Sequence, residues 1–144
     1  MSRIYWDTML YIYWLDDHPE HGPKIDWLFN RMNERGDVLC ASSFTLAELL
    51  VGPKKQNDDV LEAKIGQFFN PPQVQIFDFD RECAIKFSEI RSVQKVSPAD
   101  AIHLACACRN GVELFLTNDL AVRKLTVPGI QFIDGLDTSV FGPR

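Results

Sequence analysis

The chain has 144 residues, of which 46% are hydrophobic, and this is enough for one globular domain with a sizeable core. Its apolar residues lie in short runs, well below the roughly 18 needed to cross a membrane. The N-terminus lacks the apolar stretch of a secretory signal, so we expect a cytoplasmic protein. The net charge of −5 argues against binding nucleic acid through a general basic surface, but it leaves room for binding through metal ions.

The cysteines show no sign of a zinc site. The four of them form no CxxC pair and have no histidines at zinc-site spacing. We therefore predict buried free thiols at Cys40, Cys83, Cys106 and Cys108.

The first half of the chain alternates short apolar runs with helical patterns. Gly36 and the pairs Gly52-Pro53 and Pro71-Pro72 are expected to end helices, and the Pro, Gly and Asp content of residues 16–23 indicates a loop. The predicted order is strand 3–6, helix 8–15, helix 24–35, strand 38–41, helix 44–51 and helix 58–69.

The second half contains the helix with the clearest start signal. Ser97 suits an N-cap, Pro98 suits the first helical position, and Asp100 stands where a capping-box acid belongs. This helix is apolar on nearly every side, so it should be buried. The predicted order is strand 74–79, helix 80–93, helix 97–107, strand 114–117, a short helix ending at 124 and strand 130–133. Residues 134–144 have no clear pattern, and we expect partial disorder there.

This alternation of strands and helices predicts an α/β fold. The expected architecture is a three-layer α/β/α sandwich with a mostly parallel central sheet. The sequence has no internal repeat, linker or low-complexity tract. We therefore predict a single domain over residues 1–144, with its core at about 3–133 and a tail at 134–144.

Four acidic residues stand where predicted strands give way to helices: Asp7, Glu48, Asp100 and Asp119. Ligands of such folds collect at the carboxyl ends of the strands, so one edge of the sheet could gather all four side chains. Carboxylate oxygens suit Mg²⁺ or Mn²⁺, and carboxylates around such ions are a usual apparatus for phosphodiester hydrolysis. A site of this kind needs no histidine, serine or cysteine nucleophile.

Each acid also has a purely structural interpretation. Asp7 and Asp119 are suited to cap short helices, while Glu48 and Asp100 each stand three residues after a hydroxyl residue, at capping-box spacing. Taken together, the four acids weaken this interpretation. Glu48 and Asp100 lie in helices that are apolar almost all round, where an ionised acid costs several kcal/mol unless it is paired or binds a metal. No comparable set of arginines or lysines stands at the same turns.

Four segments of the sequence resemble, in order and spacing, the motifs of PIN-domain ribonucleases, and especially those of the VapC-type toxins of toxin–antitoxin pairs. The segments are residues 4–8, 43–52, 97–105 and 116–119. Two blocks are the more specific, Ala-Glu-Leu-Leu-Val-Gly at 47–52 and Asp-Ala-Ile-His-Leu-Ala at 100–105. The resemblance covers about residues 3–133 and implies a PIN-like fold.

The resemblance also implies a function. It implies a Mg²⁺- or Mn²⁺-dependent endoribonuclease that hydrolyses RNA and is the toxin of a type II toxin–antitoxin pair. Asp7, Glu48 and Asp100 would be the core catalytic metal ligands, and Asp119 the fourth acid of the metal site, often acting through water. The implied partners are the RNA substrate, a cognate antitoxin protein and a second copy of the chain in a homodimer.

Further residues are candidates for supporting roles. Thr8 and Thr117 match the small hydroxyl residues that flank such sites and could orient a ligand or a water. Arg91 and Lys95 are candidates for contacting RNA phosphates, although the alternative, that they are solvated surface cations, stays open.

The histidines are not predicted to bind metal. His18 and His21 lie in a Pro/Gly loop with no evident third ligand. His103 stands three residues after Asp100 on the same side of the helix, where it could support the site. We prefer to interpret it as a core histidine bonded to a backbone carbonyl.

Two other functions remain as alternatives. A phosphatase or phosphoacceptor domain on a similar sheet is one, although a dehalogenase-like phosphatase would have a second aspartate where Met9 stands. The other is a non-catalytic PIN-like binding module whose carboxylates only cap helices. Degenerate modules of that kind usually lack one of the acids, and this chain has all four.

Overall fold

The structure is a computed structural model and describes residues 1–143, within which it has five strands and seven helices. The strands are β1 (Arg3–Trp6), β2 (Val38–Ser42), β3 (Gln75–Phe77), β4 (Leu114–Leu116) and β5 (Phe132–Asp134). The helices are α1 (Thr8–Leu15), α2 (His21–Arg35), α3 (Ser43–Gln56), α4 (Asp59–Phe68), α5 (Arg81–Val93), α6 (Pro98–Arg109) and α7 (Leu120–Arg123).

The five strands form one sheet in the order β3-β2-β1-β4-β5, and every neighbouring pair is parallel. The central strand β1 is buried on both faces, as its continuous apolar sequence requires. All strands therefore end at the same edge of the sheet. The predicted α/β/α sandwich is confirmed, and the sheet is wholly parallel.

Alternate residues of the strands face two separate hydrophobic clusters. In β1, Ile4 and Trp6 pack into a cluster with residues of α1, α2, α3 and α4. Tyr5 packs into the other cluster, with residues of α5, α6 and α7. This is the alternation expected of a strand between two helical layers.

Two predicted helix boundaries are wrong by three residues or more. Helix α2 begins at His21 and not at residue 24, so it includes the end of the predicted loop 16–23. Helix α3 does not stop at Gly52-Pro53 but continues to Gln56. A proline inside a helix removes one backbone hydrogen bond and crowds the carbonyl four residues before it, and the burial of Pro53 in the packed interior offsets this cost. The helix ends instead at Asn57, which adopts the left-handed conformation with φ 52.

The predicted disorder of the tail is also wrong for residues 134–143, while Arg144 lies outside the described residues. Phe141 is only 1% exposed and belongs to the cluster of α1 to α4. Its carbonyl oxygen accepts hydrogen bonds from Nε and Nη2 of Arg31 at 3.3 and 3.1 Å. The Arg35 guanidinium lies 4.9 Å from the centre of the Phe141 ring. A single buried aromatic residue produces no periodic hydrophobic pattern. Phe141 could therefore not be recognised as a core residue from the sequence.

Two further observations concern the described residues. All four cysteines are free as predicted, and Cys40, Cys83 and Cys106 are buried, but the predicted burial is wrong for Cys108, which is half-buried. Within residues 1–143, no helix combines the length and the apolar character that crossing a membrane requires.

Candidate metal and nucleic-acid site

The carboxyl ends of β1 and β4 meet at the centre of the sheet edge. Trp6 and Leu116 are paired across these strands, and the next residue, Asp7, donates its backbone N–H to the Leu116 carbonyl at 2.9 Å. A cavity of about 450 Å³ opens at this place. All four predicted acids line it, namely Asp7, Glu48, Asp100 and Asp119.

The Asp7 carboxylate is held by two hydrogen bonds. Its Oδ1 accepts from the backbone N–H of Thr8 at 2.8 Å, which makes Asp7 the N-cap of α1. Its Oδ2 accepts from the hydroxyl of Thr117 at 2.8 Å. The Thr117 hydroxyl oxygen in turn accepts from the backbone N–H of Asp119 at 3.1 Å. Thr117 therefore connects two of the acids.

Asp100 lies in the first turn of α6, beside the N-cap Ser97. The Ser97 hydroxyl accepts from the Asp100 N–H at 3.2 Å and donates to Oδ2 of Asp100 at 3.0 Å. Burial raises the pKa of Asp100, the Ser97 hydrogen bond opposes this, and the negative charges of Asp7 and Asp119 raise it further. The negative charges of Asp7 and Asp119 therefore both act on Asp100.

Asp119 is the N-cap of the short helix α7. Its Oδ1 accepts from the backbone N–H groups of Ala121 and Val122 at 2.9 and 3.4 Å. Asp7, Asp100 and Asp119 therefore all stand at helix starts, as the structural interpretation required, and all three still line the cavity.

Glu48 is different, because it caps nothing. The N-cap of α3 is Ser42, and its capping-box partner is Thr45, so Glu48 lies in the second turn. Its Oε1 accepts from the Thr8 hydroxyl at 2.6 Å and lies 2.6 Å from Nε2 of His103. Burial works to raise the pKa of Glu48, but the hydrogen bonds with His103 and Thr8 outweigh it, and the net shift of this pKa is downward.

His103 was not predicted as a site residue, and its preferred interpretation as a carbonyl-bonded core histidine is wrong. Its side chain is 2% exposed and contacts Glu48 through Nε2, while Nδ1 lies 2.6 Å from the Tyr5 hydroxyl. The one signal in the sequence was its position three residues after Asp100, on the face of α6 that reaches the site.

The family model described as "PIN domain" matches residues 4–127. The chain belongs to the PIN domain family. It is 28% identical over 144 residues to the tRNA(fMet)-specific endonuclease VapC of Salmonella typhimurium, an alignment that covers 93% of this chain and 98% of that protein. The resemblance found in the sequence is therefore confirmed.

Two solved structures share the fold. VapBC2 from Rickettsia felis, bound to a DNA fragment from its promoter, has a TM-score of 0.70 and 18% identity, with 92% of this chain and 98% of that chain covered. A toxin–antitoxin complex from Klebsiella pneumoniae has a TM-score of 0.66 and 20% identity, with 88% and 94% covered. At these identities the likeness concerns the fold of the PIN domain.

Arg91 and Lys95 are not among the described residues that line the acidic cavity. Arg91 is exposed in the last turn of α5, and Lys95 is exposed in the segment before α6. His18 and His21 stack on each other at 4.7 Å, and Nδ1 of His18 accepts two backbone N–H groups, those of Glu20 and His21.

The donor set of this PIN domain fits a divalent cation. Among the residues lining the cavity, the structure describes four carboxylates and no lysine or arginine. Mutual repulsion contributes to the raised pKa of Asp100, and a bound cation would relieve it. Within residues 1–143, no three His, Cys, Asp or Glu side chains already converge as a metal cage. Such convergence is not required for Mg²⁺, which keeps several waters and takes only one or two carboxylates directly.

Proposed function

We propose that this PIN domain is a metal-dependent endoribonuclease and the toxin of a type II toxin–antitoxin pair. The observation that carries the proposal is the set of four carboxylates, from four different parts of the chain, around one cavity that no described cation lines. The named activity of the Salmonella relative, an endonuclease specific for tRNA(fMet), supports the same reaction class. The proposed substrate is RNA, and the proposed location is the cytoplasm.

In the proposed mechanism, Asp7, Glu48 and Asp100 would hold Mg²⁺ or Mn²⁺, and Asp119 would be the fourth acid of the site. When bound, the ion would lower the pKa of an attacking water and neutralise charge on the phosphate. The protein supplies orientation. The Thr117 hydroxyl fixes Asp7, and the Thr8 hydroxyl fixes Glu48.

The described lining of this cavity has no thiol, and its hydroxyl groups are engaged in hydrogen bonds. Among its described lining residues, the only hydroxyl groups belong to Thr8 and Tyr13, and there is no cysteine. The Thr8 hydroxyl donates to Glu48, and the Tyr13 hydroxyl accepts from Asn118 at 3.2 Å. Hydrolysis by water is therefore the reaction that this set of groups favours over transfer to a hydroxyl or thiol side chain.

The non-catalytic alternative explains less. Helix capping accounts for Asp7, Asp100 and Asp119, but Glu48 caps nothing and is nevertheless held at the same cavity. The phosphatase alternative still lacks its second aspartate, because Met9 stands there and lines the cavity.

An antitoxin is the proposed protein partner. An apolar cavity of about 480 Å³ lies where α1, α2 and α4 meet, and its lining includes Tyr11, Trp14, Phe29, Phe68 and Phe69. An extended or helical antitoxin segment with apolar anchors would fit it. The solved neighbours are themselves VapBC2 and a toxin–antitoxin complex, which supports this partner. A homodimer of the toxin is proposed from the family resemblance alone.

The proposal is tested by cleavage of a mixed pool of structured and single-stranded RNA in Mg²⁺, Mn²⁺ or EDTA. We expect metal-dependent internal cuts that disappear in EDTA and in Asp7→Asn and Asp100→Asn. The matched control is Glu113→Gln, because Glu113 directly precedes β4, at the sheet edge opposite the cavity. A wild-type protein that cuts under no metal, or aspartate variants that cut as well as Glu113→Gln, would reject the nuclease.

A further inference from the structure

A buried polar network lies directly behind Glu48, and the proposed metal ligands do not include it. Its centre is the Tyr5 hydroxyl, in the middle strand of the sheet. This hydroxyl donates to Ser42 Oγ at 2.9 Å and lies 3.2 Å from Thr45 Oγ1 and 2.6 Å from His103 Nδ1. The four residues are 0–2% exposed, so this network lies wholly in the interior.

Contacts at both ring nitrogens and with two neighbouring aromatic rings hold the His103 ring, and its Nε2 also lies 3.2 Å from Thr8 Oγ1. Nδ1 contacts the Tyr5 hydroxyl and Nε2 contacts Glu48, so both ring nitrogens have partners. The ring centre lies 5.7 Å from that of Tyr5 and 5.2 Å from that of Phe44. Tyr5 is itself stacked on Phe115 at 5.2 Å with an interplanar angle of 10°. A ring held in this way can set the position of the group bonded to it.

The group bonded to the His103 ring is one carboxylate oxygen of Glu48. Oε1 accepts a hydrogen bond from the Thr8 hydroxyl and also contacts His103 Nε2. Oε2 has no hydrogen-bond partner among the described residues. The Glu48 side chain is 32% exposed, while that of His103 is 2% exposed. The buried contacts thus occupy Oε1 and leave Oε2 for a ligand in the cavity.

We propose that His103 is a positioning residue, which fixes Oε1 of Glu48 so that Oε2 is presented to a divalent cation, with the Tyr5 hydroxyl fixing the imidazole. This inference rests on the proposed role of Glu48 in the metal site. The proposal also gives a reason why the residue that contacts Glu48 Oε1 belongs to α6. Thr8 follows Asp7, and His103 lies one turn after Asp100, so the two contacts tie Glu48 to both elements that carry the other core acids.

Two substitutions separate the bond to Glu48 from the bond to Tyr5. In His103→Gln the amide nitrogen can reach the place of Nε2, whereas in His103→Asn it reaches only the place of Nδ1. We expect Mn²⁺ affinity, measured by electron paramagnetic resonance or calorimetry, to fall about 10- to 100-fold in His103→Asn. His103→Gln should retain most of the affinity. Thermal unfolding without metal is the check that both variants are folded.

A second readout is independent of the metal. In a metal-free crystal structure of His103→Asn, we expect the Glu48 carboxylate to leave its place beside Thr8, and in His103→Gln to remain there. Tyr5→Phe, which leaves His103 itself intact, should lower Mn²⁺ affinity in the same direction and supplies the test if His103→Asn does not fold.

The outcomes separate the two proposals. If the wild type binds Mn²⁺ and both His103 variants bind it equally well, or lose it equally, the positioning role is wrong while the nuclease stands. If the wild type binds no Mn²⁺, the proposed metal site fails, and the metal-free structures decide whether His103 holds Glu48. Glu48 unmoved in His103→Asn would overturn the inference.

Discussion

The Thr117 hydroxyl donates a 2.8 Å hydrogen bond to Oδ2 of Asp7, and this bond joins the residue after β4 to the residue after β1. Thr117 is fully buried, so its hydroxyl cannot bond to bulk water instead. The same oxygen accepts from the Asp119 N–H. One side chain therefore sets the orientation of Asp7 and the start of the segment that carries Asp119.

Replacing Thr117 by valine keeps the shape of the side chain and removes this bond. We expect Thr117→Val to lower Mn²⁺ affinity and RNA cleavage by about 10- to 100-fold, because Asp7 loses its orienting donor. The unfolding free energy should fall by only about 1 kcal/mol. The matched control is Thr138→Val, which removes a hydroxyl that accepts a hydrogen bond from Val140 in the C-terminal segment. Equal losses of affinity in both variants would contradict a specific role for Thr117.

The raised pKa of Asp100 predicts a pH-dependent stability in the absence of metal. A folded-state pKa above the unfolded value means that the native state binds more protons, so stability falls as pH rises from the unfolded pKa, about 3.9, through the folded one. We expect Asp100→Asn to unfold at a higher temperature than the wild type in EDTA at neutral pH. The difference should shrink as pH falls through the folded pKa, and it should be lost once pH is below the unfolded value of about 3.9.

The check is thermal unfolding of both proteins from acid to neutral pH. Asp119→Asn serves as the comparison, because it removes one of the charges that raise the Asp100 pKa while leaving Asp100 itself ionisable. A stability difference between wild type and Asp100→Asn that is the same at every pH would show that charge repulsion is not the cause.

Three of the acids could be located from the sequence because their positions follow from chain order. Asp7 ends a strand, Asp119 closely follows another, and Asp100 begins a helix with its own start signals. Parallel strands end at one edge, so the sequence alone places such residues together. This is the part of the site that local pattern and topology determine.

The contact between His103 and Glu48 could not be found in that way. Helical spacing says which residues share a face of α6, but not which residue of α3 lies opposite, because the packing of two helices depends on all their side chains. The same limit applies to Phe141, whose contacts with α2 are long-range. The predicted end of α3 at Gly52-Pro53 was wrong for a related reason, because burial in the tertiary structure overrides a local helix-breaking preference.

The predicted roles of Arg91 and Lys95 can be tested through substrate binding. Both are exposed, so the double variant Arg91→Ala/Lys95→Ala should change the unfolding free energy by no more than about 0.5 kcal/mol. If these cations bind RNA phosphates, KM should rise with kcat unchanged. The slope of log affinity against log salt should also become shallower, by about 1 for each phosphate that the variant no longer neutralises.

The control for that pair is Arg109→Ala, because Arg109 is the last residue of α6, at the other end of the helix from Asp100. We expect it to leave KM and the salt slope unchanged. If Arg91→Ala/Lys95→Ala behaves like Arg109→Ala, the two residues are solvated surface cations, and RNA must be bound by other residues of the PIN domain.

The C-terminal segment should stabilise the fold without contributing to the metal site. Phe141 is 1% exposed in the cluster formed with α1 to α4, so Phe141→Ala should lower the unfolding free energy by about 3 kcal/mol or more. Phe141→Leu, which keeps most of the buried volume, should cost clearly less. Denaturant unfolding measures both, and Mn²⁺ affinity of the folded protein should match the wild type, because Phe141 lines no part of the acidic cavity. A Phe141→Ala protein as stable as the wild type would mean that the segment does not pack there in solution.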